Sequence, residues 1–241
     1  GKPPELGGIV ARRYSTALGG AQVLEQAMKE RGMTARGARV AVQGFGNVGE
    51  NAARILHHWG YTIVAVSDVK GGILNNAGLD IPALRQHKNR TGGVSGFSGA
   101  TAVSNEQLLV TDCDVLIPAA LSNQLDERNA RGVQAKIILE LANAPATAAA
   151  DEIFYDRDIM LLPDILANAG GVAVSYLEWS QNLSNDRWPE EKVLEKLKQT
   201  MINAFNDVHG HCREKRCRMR TAAYQLAVKR ILNAERLRGN L

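Results

Sequence analysis

Arg39-Val40-Ala41-Val42-Gln43 runs directly into Gly44-Phe45-Gly46-Asn47-Val48-Gly49, and a helical pattern follows to Trp59. A short apolar segment, glycines spaced G-x-G-x-x-G and an amphipathic run, in that order, predict the strand, tight turn and helix of a βαβ unit. The first glycine permits the turn, the second lets a diphosphate approach the backbone, and the third lets helix and strand pack closely. The helix N-terminus offers unpaired N–H groups and partial positive charge to that diphosphate. A second strand, Thr62-Ile63-Val64-Ala65-Val66-Ser67, ends at Asp68. That carboxylate falls about 20 residues past the glycines, where a group meeting the adenosine ribose hydroxyls is expected. The pattern predicts a dinucleotide site, with Gly44, Phe45, Gly46, Asn47, Val48 and Gly49 as its phosphate turn and Asp68 as its ribose residue. Asp68 is also placed to cap a turn before Gly71-Gly72, the lesser of the two readings. A carboxylate at the ribose repels a 2′-phosphate, which favours NAD. Lys70 offsets part of that repulsion, so NADP stays possible.

Further along, Val115–Pro118, Ile137–Leu139 and Ile159–Pro163 are unbroken apolar runs, as in strands covered on both faces. Helical stretches separate them. The alternation predicts an α/β, Rossmann-like doubly wound and mostly parallel sheet with helices on both faces. Ligands of such sheets sit beyond the carboxyl ends of the strands. The loops at Ser67-Asp68, Ala119-Ala120, Leu141-Ala142-Asn143 and Ile165–Gly171 are therefore expected to surround the cofactor. In the last of these, Asn168 carries a donor and an acceptor that suit a carboxamide such as that of nicotinamide. It also suits a helix cap.

Residues 1–14, rich in glycine and proline, read as an extended lead-in. Ser15 or Thr16 is placed to cap a helix to about Glu30, Gly71-Gly72 reads as a turn, and a short helix is expected over Ile81–His87. Residues 91–100 read as a loop. Pro189-Glu190-Glu191 opens a helix with an apolar stripe at Val193, Leu197, Met201, Phe205 and Val208. A last helix is expected from about Thr221 to Arg238. Residues 1–241 thus read as one domain, with 185–241 as a C-terminal helical extension.

Composition narrows the function classes. No apolar run approaches the roughly 18 residues of a membrane span. The net charge of +4 on 241 residues is small. The basic stretch Arg213–Arg220 lacks interleaved aromatics, so it reads as a solvated helix end rather than a nucleic-acid face. Cys113, Cys212 and Cys217 fit no zinc or redox spacing, so no metal site is expected and a reducing cytoplasm suits the chain. None of the five histidines falls in a loop at the strand ends. The first residue is Gly1 rather than Met, as in a processed chain or an expressed piece.

These segments in this order resemble the glutamate/leucine/phenylalanine/valine dehydrogenase family, nearest its glutamate-oxidising members. The resemblance rests on Gly1–Gly8, Gln43–Gly49, Val66-Ser67-Asp68 with Gly71-Gly72-Ile73, and Ile117–Leu121. It continues through Pro163–Val172, Val174–Trp179 and Arg220–Tyr224, so it covers essentially the whole chain. It implies that Thr16 and Asn168 hold the nicotinamide end, that Asn47 and Val48 form the diphosphate turn, and that Asn143 and the Ala119-Ala120 loop lie on the cofactor side. It implies that Arg12 lies near the substrate and that Ser175 contacts the side-chain carboxylate of glutamate. Ser175 with Val172 favours glutamate over the apolar substrates of sister enzymes. Two stretches depart from the family: Ala17-Leu18-Gly19 stands where Gly-Arg-Gly is usual, and Glu140-Leu141-Ala142-Asn143-Ala144-Pro145 where Glu-Gly-Ala-Asn-Gly-Pro is usual. The family's catalytic lysine and aspartate belong to an N-terminal substrate domain whose segments do not occur here. No catalytic residue is therefore expected in this chain, and hexamer formation is implied for the full-length protein. The expectation is the dinucleotide-binding domain of an NAD(P)-dependent enzyme that reversibly oxidises glutamate to 2-oxoglutarate and ammonia, binding cofactor alone without turnover. Another amino-acid dehydrogenase of the family, a stand-alone nucleotide-sensing or regulatory module, and an interaction domain that has lost its cofactor are the rival readings.

Overall fold

The computed structural model describes residues 1–241. Its strands are β1 (Arg39–Gln43), β2 (Thr62–Asp68), β3 (Gly71–Leu74), β4 (Thr101–Val103), β5 (Val115–Pro118), β6 (Ile137–Leu139) and β7 (Met160–Leu162). They form one seven-stranded sheet in the order β4-β3-β2-β1-β5-β6-β7. β2, β1, β5, β6 and β7 are parallel neighbours, while β3 pairs antiparallel with both β2 and β4.

The helices are α1 (Ser15–Glu30), α2 (Asn47–His58), α3 (Ile81–Thr91), α4 (Asn105–Leu109), α5 (Ala148–Asp156), α6 (Asp164–Ala167), α7 (Gly170–Leu183), α8 (Glu190–Lys215) and α9 (Met219–Leu237). Successive strand side chains point to opposite faces, and the core divides accordingly. Val40 and Val42 of β1, Val115 and Ile117 of β5, and Ile137 and Leu139 of β6 join Leu24, Leu56 and Phe205 under α1, α2 and α8. Ala41, Leu116 and Ile138 join Leu108 and Phe154 under α4 and α5. Burial on both faces is what made these strands read as continuous apolar runs. The α8 stripe Val193, Leu197, Met201, Phe205 and Val208 is buried, and α8 packs on α1, α7 and α9. No helix is long and apolar enough to cross a membrane.

Several local expectations are corrected. Gly71 and Gly72 belong to β3 rather than to a turn. A β-carbon on Gly72 would come 3.1 Å from the carbonyl oxygen of Val103, its partner on β4, so glycine lets the two strands pair closely. α3 continues past His87 to Thr91 and ends at left-handed Gly92. Residues 1–14 are not extended. They fold into 3-10 turns at Pro4–Leu6 and Val10–Arg13, held by Glu178, whose carboxylate accepts from the Lys2 and Ile9 N–H groups at 3.1 and 2.8 Å. α1 is capped at Tyr14 without a side-chain bond, because the Ser15 hydroxyl donates back to the Arg12 carbonyl at 3.3 Å.

Candidate functional site

The chain leaves β1 toward β2 on one side and returns to β5 on the other. In open α/β sheets such a reversal marks the ligand position, beyond the carboxyl ends of the strands, here β1 and β5. Gly44 has φ +91° there, and a β-carbon on it would lie 2.9 Å from both the Ala119 carbonyl oxygen and the Ala120 methyl. Gly46 faces open space, with nothing within 4 Å of where a side chain would start. Gly49 is buried beneath the Gly44 carbonyl and against Val42. The three glycines thus have three different reasons to lack a side chain. Gly46 also caps α2 without a side-chain hydrogen bond, so no side chain answers its first N–H groups. An open approach and uncapped amides fit a diphosphate.

Two apolar side chains of these loops are buried in the core. Phe45 is only 1% exposed and Leu141 only 4%. A β-carbon on Gly20 would come 2.5 Å from Leu141 Cδ2, so Leu141, where the family has glycine, fills space that Gly20 leaves on α1. Leu18 likewise packs against the core. The Phe45 carbonyl accepts a hydrogen bond from Lys88 Nζ, which also pairs with Glu50 at 2.9 Å. The turn is therefore latched to α3. On its other side, Asn47 Nδ2 donates to the Arg13 carbonyl at 3.1 Å, while Val48 is half-buried on the same first helical turn.

Asp68 stands apart from these groups, at the end of β2. Its carboxylate accepts the Lys70 N–H at 2.8 Å and the Val94 N–H at 2.7 Å. The turn-capping role is therefore realised. A carboxylate has about four lone-pair sites, so two N–H bonds leave room for ribose hydroxyls.

Beyond β6 and β7, Asn168 Nδ2 donates to Asn143 Oδ1 at 2.8 Å. Asn168 ends α6 and does not cap α7, whose N-cap is Ala169. A β-carbon on Gly171 would meet Thr16 Oγ1 at 2.5 Å, which places Thr16 beside the start of α7. Arg12 Nε donates to Ser175 Oγ at 3.2 Å, and Ser175 donates to the Gly171 carbonyl at 2.9 Å. Val172 is exposed on the same helical turn. The structure thus joins Gly44 to Ala119 and Ala120, Asn143 to Asn168, Thr16 to the start of α7, and Arg12 to Ser175.

Sequence reasoning missed two acidic centres. Glu178 orders the lead-in and also pairs with Arg12 at 3.4 Å. Burial works against its ionised form, yet the Ile9 and Lys2 N–H groups and Arg12 hold its carboxyl below the ordinary range. The second centre surrounds Arg220. Its guanidinium contacts Glu140 at 2.7 and 2.8 Å, Asp164 at 2.9 Å and Asp151 at 3.4 Å. Glu140 is fully buried, and burial pushes its carboxyl up to about 7 despite Arg220. Arg220 is therefore not part of a solvated helix end, because it is drawn into a pocket of carboxylates. Acids at the ends of two apolar strands, Glu140 next after β6 and Asp164 two residues after β7, were the available signal.

The fold and site define a doubly wound, Rossmann-type domain with a glycine turn at its topological switch point. The sequence profile of the Glutamate/Leucine/Phenylalanine/Valine dehydrogenase family matches residues 7–239, and the chain belongs to that family. Over 239 residues it is 44% identical to the cryptic catabolic NAD-specific glutamate dehydrogenase GudB of Bacillus subtilis and 42% identical to the catabolic NAD-specific glutamate dehydrogenase RocG of the same organism. Each alignment covers 99% of this chain and 56% of the relative. The hetero-hexameric glutamate dehydrogenase of Thermus thermophilus, in its Leu-bound form, shares the fold at a TM-score of 0.93 and 34% identity, over 99% of this chain and 56% of that one. The chain therefore spans about half the length of the relatives it matches.

Proposed function

We propose that residues 1–241 are the cofactor-binding domain of an NAD-dependent glutamate dehydrogenase, with 185–241 as a helical extension. The observation that carries this reading is the open cradle at Gly46, closed behind by Gly44 and Gly49 and fronted by the uncapped amides of α2. Those amides, from Asn47, Val48 and Gly49, grip the diphosphate. Asp68 takes the adenosine ribose hydroxyls and disfavours a 2′-phosphate. The Ala119-Ala120 loop walls the crevice, and Thr16, Asn143 and Asn168 orient the carboxamide end. Ser175 contacts the side-chain carboxylate of glutamate, with Arg12 near the substrate and Val172 as an apolar wall. NAD, when bound, supplies the hydride acceptor for oxidation at the α-carbon, which leads to 2-oxoglutarate and ammonia.

The NAD specificity named for both Bacillus relatives supports this choice of cofactor. The hexamer named for the Thermus protein supports an oligomer for the full-length enzyme. The three free cysteines suit a reducing cytoplasm. The proton-transfer groups are not among these residues, so this chain alone binds cofactor without turnover. Fluorescence titration of the purified chain with NADH, followed by an assay of NADH formation from glutamate, tests the reading. Saturable binding without turnover is expected. Absence of binding overturns the cofactor assignment, and robust turnover overturns the placing of catalysis elsewhere.

A further inference from the structure

We propose that Arg220, on the first turn of α9, is a positioning residue for the nicotinamide end of the cofactor site. The inference rests on the cofactor reading above. Asp164 bridges Arg220 to the loop after β6: its Oδ1 accepts from Arg220 Nη1 at 2.9 Å and its Oδ2 from the Ala144 N–H at 2.8 Å. Ala144 is held at φ +45°, a conformation that costs a non-glycine residue energy and needs support. Its neighbour Asn143 is the residue that accepts from Asn168. Glu140, bound twice by Arg220, accepts the Asp164 N–H at 2.8 Å and so fixes the start of α6, the helix that Asn168 ends. One guanidinium thus sets both loops that present the asparagine pair.

The energetics favour a positioning role over a stabilising one. Burying one cation among three carboxylates gives little net stability, because desolvation offsets the attraction. What such a cluster supplies is fixed geometry. The planar fork of arginine matches several carboxylates at once, and the point charge of lysine does not.

The test compares two ligands on the full chain. NADH engages the asparagine pair, whereas ADP-ribose, which lacks nicotinamide, engages only the glycine turn and Asp68. For Arg220→Lys, NADH affinity is expected to fall roughly tenfold, the worth of about one lost hydrogen bond. ADP-ribose affinity is expected to stay within about twofold. Asp164→Asn, which breaks the same bridge with little change of shape, is expected to do likewise, and it carries the test if Arg220→Lys does not fold. In an Asn143→Ala background, Arg220→Lys is expected to cost less than it does alone, since part of its effect runs through Asn143 and the rest through Asn168. Unchanged NADH affinity, or equal loss of both ligands, overturns the positioning role while leaving the cofactor reading intact. If the unmodified chain binds neither ligand, the cofactor reading fails, and this inference with it.

Discussion

Gly49 lies directly beneath the carbonyl of Gly44, with no room for a methyl group between them and Val42 Cγ1 only 3.3 Å from where it would sit. Gly46, three residues earlier, has nothing within 4 Å. The two glycines should therefore fail differently. Gly49→Ala forces the helix off the strand, at about 1–3 kcal/mol, so both the melting temperature and NADH affinity should fall. Gly46→Ala has an ordinary backbone, φ −82°, and free space. It should melt like the parent chain yet bind NADH more weakly, because the new methyl stands in the proposed path of the diphosphate. Melting curves beside NADH titrations check this. A Gly49→Ala protein as stable as the parent would show that the turn is looser than its geometry implies.

Asp68 carries two loads, the turn N–H groups of Lys70 and Val94 and the proposed ribose contact. The unmodified chain should bind NADH more tightly than NADPH, since a 2′-phosphate would meet this carboxylate. Asp68→Ala should narrow that difference, chiefly by weakening NADH, with the Lys70 ammonium left to favour the phosphate. Tighter binding of NADPH by the unmodified chain would refute the ribose role of Asp68.

How much of this was legible in the sequence follows from which residues carry local signals. The βαβ unit was readable because Val40, Val42 and the three glycines each obey a constraint confined to a few residues. β3 and β4 were not. Gly71-Gly72 carries the composition of a turn, and it is pairing with β2 on one side and with Val103, some thirty residues later in the chain, on the other that makes it a strand. The asparagine pair was recoverable as two loop residues but not as one bonded unit. Arg220 was misread because its partners Glu140, Asp151 and Asp164 lie 56 to 80 residues away, and no local pattern announces a tertiary ion cluster.

Glu140 makes stability depend on pH in an unusual direction. Burial raises its carboxyl from 4.5 to about 7 in the folded chain, and Asp151 is raised for the same reason. Between those values the folded state holds more protons than the unfolded one, so this contribution is full below about pH 4.5 and is lost as pH rises toward 7. Glu178 acts oppositely: held low, it contributes above its ordinary range and loses that contribution in acid. Stability should therefore peak in weak acid rather than at neutrality. Glu140→Gln should flatten the decline between about pH 5 and 7. Melting temperature against pH for the two proteins measures this, and parallel profiles would refute it.

Ala144 and Arg216 sit at φ +45° and +50°, whereas the other non-glycine residues in this region are Asn123, Asp158 and Asn185. Asn and Asp tolerate the left-handed conformation through local hydrogen bonds, while alanine and arginine have no such relief. Ala144 stands where the resembling family has glycine, and Arg216 ends α8 where glycine is the usual terminator. Ala144→Gly and Arg216→Gly should each relieve about 1–2 kcal/mol of strain, partly offset by the greater freedom of glycine in the unfolded chain. A net gain near 0.5–1 kcal/mol corresponds to roughly 1–4 °C in melting temperature for a chain of this size. Asn185→Gly should gain less, since asparagine bears the conformation more easily. Melting all three against the parent orders them. A gain for Asn185→Gly matching that for Ala144→Gly would mean that left-handed strain is not what separates these positions.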